Sequence, residues 1–225
     1  RIIYCSSMAR YGSQKTPFTE DMEPAPVDPY GISKVAAEKI LISLCNLNKI
    51  EWVIAVPHNI IGPRQKYDDP FRNVISIMLN RMLQNKAPII YGDGEQKRCF
   101  SYIDDCLSCL IPMKDQKNLN EQIINIGPDE EFVSINKVAE ICSNITGINL
   151  KPIYKPDRPK EVKHATCSAD KARKLLNYKT TVDLKTGVTK TFEYIKERGP
   201  KPFDYYINVE ILNELTPSTW IKKEI

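Results

Sequence analysis

An α/β fold built on a parallel sheet is what this sequence predicts, and three observations predict it. Residues 2–5, Ile-Ile-Tyr-Cys, form a short apolar, β-prone run that reads as a buried strand. From Tyr30 to Asn46, Ala36, Ala37, Ile40, Leu41 and Leu44 recur at helical spacing, and Pro29 supplies a first-turn start signal. Trp52 to Val56 is a second apolar run, cut by Pro57. Strand, long helix and strand make a crossover unit, which requires parallel strands and is right-handed almost without exception.

The remaining elements follow in order. Gly12 to Pro29 is a polar connector with four prolines, so it reads as a loop. Gly62-Pro63-Arg64 closes the crossover unit. Asn73 to Gln84 places Val74, Ile77, Met78 and Met82 on a helix. Pro88 to Tyr91 is a short strand ended by the turn Gly92-Asp93-Gly94. Phe100 to Ile103 is extended, and Asp104 to Met113 is a helix with an acidic first turn, which complements the helix dipole. Ile123 to Ile126 is a strand ending at Gly127-Pro128, and Ser134 is a suitable N-cap for a helix running to Thr146. A strand at Pro152 to Tyr154 precedes two helices, near Ala169 to Leu176 and Leu184 to Arg198. The tail keeps Tyr205, Tyr206, Ile211, Leu212 and Trp220, which is too apolar for a solvated end, so it is expected to pack.

Composition narrows the function classes. The 225 residues can bury a sizeable core without a metal or disulfide staple. With 42% apolar and 27% charged residues, global disorder is excluded. Lys and Arg number 32 against 28 Asp and Glu, a net +4 spread along the chain, which does not make a nucleic-acid footprint. No apolar run approaches the ~20 residues of a membrane-spanning helix, and no leader peptide is recognisable. Seven cysteines, an odd number without framework spacing, fit a reducing, cytoplasmic setting. Cys106 and Cys109 form a lone C-x-x-C inside an apolar segment and read as a buried helix face rather than a metal site.

Chemistry concentrates in Tyr30-Gly31-Ile32-Ser33-Lys34, downstream of Ser6-Ser7. Tyr30 and Lys34 are four apart at a helix start and so share one face. A neighbouring ammonium favours the phenolate, which makes a tyrosine usable as a base near neutrality. Ser7, leaving a strand end, can hydrogen-bond the same substrate hydroxyl. The Y-x-x-x-K spacing alone occurs by chance on many helices. The strand ending in Ser-Ser and the following Tyr11-Gly12 give it weight.

In these residues the chain resembles the extended short-chain dehydrogenase/reductase family, in its NAD-dependent epimerase/dehydratase branch. Ser6 to Gly12, Asp28 to Lys34 with Glu38, and Asn59 to Gln65 carry the resemblance. So do Tyr91 to Gly94, Arg98 to Asp105, Asn125 to Gly127, Arg158-Pro159 and Asp170 to Ala172, in order over about residues 1–198. UDP-sugar 4-epimerases look most similar. The resemblance implies a partial Rossmann-type parallel sheet, holding late strands only, plus a smaller α/β substrate-binding lobe. Residues 1–63 and 99–127 would be the remaining part of an NAD(P)-binding domain, 64–98 and 128–198 the substrate lobe, and 199–225 a packed extension.

It implies roles as well. Tyr30 would remove the sugar O4 proton while C4 passes a hydride to NAD, and a 4-keto sugar would turn over before the hydride returns. Ser7 would share the O4 hydrogen bond, and Lys34 would bind the nicotinamide ribose. Ser6, Pro57 and His58 would line the cofactor. Asn59, Asn73, Tyr91, Arg98 and Arg158 would hold the UDP-sugar, the two guanidiniums on its diphosphate. Read without the resemblance, Arg98 and Arg158 are equally well solvated surface charges, and His58 is a pocket wall or a plain structural residue. Ala165, seven past Arg158, stands where some epimerases carry a bulky Tyr, so a small side chain implies room for N-acetylated sugars. A homodimer of the complete protein is implied too.

Departures complete the reading. Met8 and Ala9 follow Ser7 where dehydratases and decarboxylases of the family place acidic residues, so oxidation–reduction at C4 is favoured over elimination. Arg10 replaces a usual Val, and Pro57-His58 an aromatic pair. No G-x-x-G-x-x-G turn for a dinucleotide pyrophosphate occurs anywhere. The chain is therefore expected to lack roughly the first hundred residues of a family member, as a fragment or a split subunit, and to be inactive alone. A non-catalytic nucleotide-sugar-binding fragment, or another sugar-nucleotide reaction such as dehydration or reduction, is the alternative.

Overall fold

The computed structural model describes residues 1–158, 161–206 and 216–225. In chain order the elements begin with β1 (Ile2–Cys5), a 3-10 turn (Met8–Tyr11), α1 (Pro29–Leu47), β2 (Trp52–Pro57), β3 (Ile60–Ile61) and α2 (Val74–Leu83). Then come β4 (Ile89–Tyr91), β5 (Lys97–Arg98), β6 (Ser101–Tyr102), α3 (Ile103–Met113), β7 (Gln122–Ile126), β8 (Val133–Ser134) and α4 (Ile135–Thr146). The last are β9 (Ile153–Lys155), β10 (His164–Ala165), α5 (Asp170–Leu176), α6 (Leu184–Arg198) and the short α7 (Ser218–Ile221). They divide into two compact units.

The first unit comprises Arg1–Ile60, Lys97–Phe132 and Val162–Asp183. Its sheet has the order β1-β2-β7, all parallel, with Ile3 opposite Val53 and Ile54 opposite Ile123. β2 alternates between two cores, as a strand covered on both faces must. Val53 and Ala55 pack with Cys106, Cys109 and Met113 of α3 and Ala172 and Leu176 of α5. Trp52, Ile54 and Val56 pack with Met8, Tyr11, Phe18 and Cys45. One expectation is corrected here. β1 is not a fully buried strand: Ile2 and Cys5 are exposed, and among the described residues β2 alone pairs with β1, along one edge. Residues 162–183 group with residues 97–132 in this unit, where α5 buries its apolar face in the core.

The second unit comprises Ile61–Gln96, Val133–Glu161 and Leu184–Ile225. Helices α2, α4 and α6 pack on one another, and Met78, Leu79, Val138, Cys142, Val188 and Ile195 on them are buried. β4 and β9 pair in parallel, with Tyr91 opposite Lys155. The tail aromatics Tyr205, Tyr206 and Trp220 stand edge-on around Phe71, at 6.0, 5.8 and 5.3 Å between ring centres. Ile211 and Leu212, expected to pack with them, lie outside the described residues.

Candidate active site

The first turn of α1 is built by local chemistry. Pro29 fills the opening position and the Asp28 carboxylate accepts the Gly31 N–H at 2.6 Å, capping the helix. Tyr30 is 54% exposed, and the Lys34 Nζ sits 5.8 Å from its ring centre, on the same face. One donor of that ammonium goes to the Cys5 carbonyl at 2.9 Å, which ties the helix to the carboxyl end of β1. Ser7 leaves that strand end and caps the 3-10 turn, its Oγ accepting from Ala9 N at 3.2 Å. Gly31 seats the two pieces together. A Cβ there would lie 2.6 Å from the Ala9 carbonyl oxygen, so no larger residue permits this approach.

A buried ion pair backs this arrangement. Arg10 and Glu38 are each 2% exposed, and Arg10 Nε and Nη2 both donate to the Glu38 carboxylate at 3.1–3.2 Å. The Ser6 hydroxyl donates to the same carboxylate. Arg10 Nη1, equally buried, has no hydrogen-bond partner among the described residues. This pair, 28 residues apart in the chain, escaped sequence reasoning. Its signal was a charge two residues after a buried Met in a segment leaving a strand. Tyr11 beside it is no rival base: burial pushes its phenol up to about 12, against the pull of Arg10, and its hydroxyl donates to Asn125 at 2.8 Å.

At the end of β2, Pro57 is half-buried and His58 is 1% exposed. The His58 backbone is fully engaged, N–H to the Ile126 carbonyl at 2.9 Å and carbonyl from the Ser101 hydroxyl at 2.7 Å. Its two ring nitrogens have no partner among the described residues. Burial first, and the Arg98 charge second, push its imidazolium down to about 3, so the ring is neutral at pH 7. Asn59 is exposed, with its amide donating to the Cys99 carbonyl at 2.9 Å. Arg98 is half-buried and donates to the carbonyls of Lys97 and Lys163. Ala165 pairs opposite it across β5 and β10 and packs against the cluster of Tyr11, Phe18 and Cys167.

The second unit carries the other expected residues. Asn73 precedes α2 in left-handed conformation (φ 70°) and its side chain makes no capping bond. Tyr91 ends β4. Its ring lies 5.0 Å below the Arg158 guanidinium carbon, and its hydroxyl bonds Thr219. Burial raises its phenol. Arg158 also donates to Glu161 at 3.0 Å. Gly92 (φ 68°) follows, where a Cβ would collide with the Asp157 carboxylate at 2.0 Å.

A phenol, an ammonium and the Ser7 hydroxyl at the carboxyl end of a parallel strand suit the nicotinamide end of a dinucleotide, where such sheets bind ligands. No group of three or more His, Cys, Asp or Glu suited to a metal occurs among the described residues. No described helix is long and apolar enough to cross a membrane.

Residues 1–127 match the profile of the NAD dependent epimerase/dehydratase family. A UDP-glucuronate 4-epimerase of Thermodesulfobacterium geofontis is 29% identical over 88% of this chain and 59% of its own length. Among solved structures, the UDP-glucuronic acid 4-epimerase of Bacillus cereus, in complex with UDP-glucuronic acid and NAD, superposes with a TM-score of 0.82 at 31% identity, over 88% of this chain and 62% of that one. The UDP-glucose 4-epimerase of Thermotoga maritima with UDP-glucose gives 0.80 at 29% identity, over 87% and 63%. The chain spans 59% to 64% of the length of the curated relatives it matches first.

Proposed function

Since this chain belongs to the NAD dependent epimerase/dehydratase family, we propose that the protein inverts C4 of a UDP-sugar, with Tyr30 as the base. The observation that carries this reading is the shared face of Tyr30 and Lys34, seated by Gly31 on the turn that Ser7 caps. NAD, when bound, supplies the acceptor and donor of the hydride at C4. Tyr30 takes the O4 proton and later returns it. Ser7 Oγ holds the same oxygen, and the 4-keto sugar is the intermediate between the two transfers. Lys34, held to the strand by the Cys5 carbonyl, sets a positive charge beside the phenolate as it forms and reaches the nicotinamide ribose. Ser6, Pro57 and His58 line the cofactor's side.

In the first unit Asn59 and Arg98 contact the nucleotide sugar, and Ala165 leaves space at the sugar's C2 substituent. In the second unit Asn73, Tyr91 and Arg158 contact the nucleotide. Met8, buried in the core, and Ala9, whose carbonyl faces Gly31, leave no carboxylate directly after Ser7 for elimination. Helix α1 also exposes Ile40, Leu44 and Leu47, the face through which a second copy would pair. Seven free thiols fit a reducing, cytoplasmic setting.

The test is turnover of UDP-glucose, UDP-galactose and UDP-glucuronate with NAD, products read by NMR, by the protein that contains this chain. Tyr30→Phe should lose at least about a thousandfold in kcat with KM nearly unchanged. Unimpaired epimerisation by that variant refutes the assignment. The second reading is nucleotide-sugar binding without turnover by this chain, whose 225 residues hold no G-x-x-G-x-x-G turn. Calorimetry separates the two: UDP binding without NAD binding supports it for this chain.

A further inference from the structure

Tyr91 does not stand alone at the end of β4. Its hydroxyl bonds the Thr219 hydroxyl, and Thr219 is fully buried. Lys155, the residue opposite Tyr91 across the strand pair, meets the Glu224 carboxylate at 2.8 Å. Arg81, buried in α2, donates to the Glu224 carbonyl at 3.2 Å. The Tyr205 hydroxyl closes the segment, accepting the Ile225 N–H at 2.9 Å and donating to its carbonyl. Trp220 stands edge-on against Phe71 at 5.3 Å. A ten-residue segment with so many separate anchors, and with one hydroxyl spent on a tyrosine ring, restrains that ring.

We infer that residues 216–225 are a positioning strap for the nucleotide site, with Thr219 fixing the plane of the Tyr91 ring through the hydroxyl pair. The inference rests on the sugar-nucleotide reading above. A phenol free to rotate about its two side-chain torsions loses that freedom when its hydroxyl is held. A ring ordered before the ligand arrives spares the ligand that cost. The same plane carries Arg158 over its face, so holding the ring also holds the surface on which the guanidinium rests. Thr219 and Glu224 touch no ligand themselves. They act through Tyr91 and Lys155.

The test is calorimetric titration of UDP into the 225-residue chain. Thr219→Val keeps shape and removes the hydroxyl. It should weaken UDP about five- to tenfold, the loss of one net hydrogen bond's worth of ordering. Thr219→Ser should restore binding to within about twofold, since it keeps the hydroxyl. Tyr91→Phe should match Thr219→Val, and the double variant should bind no worse than either, because the two hydroxyls act as one unit. Melting temperatures carry the control: a merely structural Thr219 would shift Tm in step with any change in affinity. The strap is refuted if Thr219→Val binds UDP like the parent, if Ser fails where Val fails, or if the two single losses add. A folded parent chain that gives no heat with UDP refutes the sugar-nucleotide reading itself, a different result from a parent that binds and a Thr219 variant that is indifferent.

Discussion

Replacing His58 by Phe should make the protein more acid-resistant, by an amount that the burial of the imidazole fixes. In the folded chain the ring is neutral, with its titration pushed from 6.5 to about 3, by burial first and Arg98 second. In the unfolded chain it titrates near its ordinary value. Between those two points the unfolded state binds one more proton than the folded state, so stability rises with pH across the window and is fully present above it. Each pH unit is worth about 1.36 kcal/mol, so at about pH 4.5 the wild type has lost roughly 2.7 kcal/mol that the Phe variant keeps. A second contribution does not depend on pH. The two ring nitrogens are buried without partners among the described residues, and each orphan of this kind costs about 1–3 kcal/mol, which Phe removes, less any crowding by its larger ring. The crowding cancels when the comparison is made between pH values. Urea unfolding of both proteins at about pH 7.5 and 4.5 reads the difference directly. A stability gap between variant and wild type that stays constant over that range overturns the reasoning, because it would mean that His58 is protonated inside the fold.

Three further outcomes follow from the same geometry. Glu38→Gln strands the Arg10 charge in a site that is 2% exposed, and should cost about 3–5 kcal/mol in denaturant unfolding, whereas Arg10→Val with Glu38→Leu should come back to within about 1–2 kcal/mol of the parent. Gly31→Ala puts a methyl 2.6 Å from the Ala9 oxygen, so it should lose about 1–3 kcal/mol and lower kcat of the complete enzyme at least about tenfold by moving Tyr30, with UDP affinity kept; unaltered kcat means the seat does not set the base. Thiol labelling of the folded chain at about pH 8 should modify Cys5 rapidly and the other six cysteines slowly, since those six are buried and burial lifts Cys99, Cys109, Cys106 and Cys142 to about 11–12; quick labelling of Cys106 and Cys109 by a disulfide reagent would reopen a redox role for that pair.

What was legible in the sequence, and what was not, divides by how far a residue's partner lies along the chain. The crossover unit β1-α1-β2 was legible because its signals are local: an apolar run, a helical period, a proline at the first turn. The shared face of Tyr30 and Lys34 was legible for the same reason, four residues being one turn. The burial of Cys106 and Cys109 followed from the apolar run around them. The allegiance of α5 was not legible, since its amphipathic face suits any core that presents an apolar strand, and only the fold selects β7 and α3. Arg10 was visible as an oddity but not as half of an ion pair. Its partner is on another element, and nothing in the spacing of a guanidinium at 10 and a carboxylate at 38 says that they meet.

That pair shows how the site is held. Lys34 ties α1 to the strand end through a carbonyl, and one turn later Glu38 ties it again through Arg10 and Ser6, so the helix carrying Tyr30 is fixed to the β1 terminus at two successive turns. The second tie is the costly one. A buried ion pair gives little net stability over apolar residues of the same size, and here one guanidinium nitrogen has no partner among the described residues. What such a pair does give is a register: a bidentate fork on a carboxylate is satisfied in one geometry, where packed methyl groups tolerate several. The physical reason to keep Arg10 in place of an aliphatic residue is therefore the angle between the Ser7 turn and the Tyr30 turn. Hydrogen exchange on the Val–Leu double variant bears on this point. If the pair sets register, the amides of Ala9, Arg10 and Gly12 should exchange faster at unchanged global stability, and equal protection in both proteins would assign the pair to stability alone.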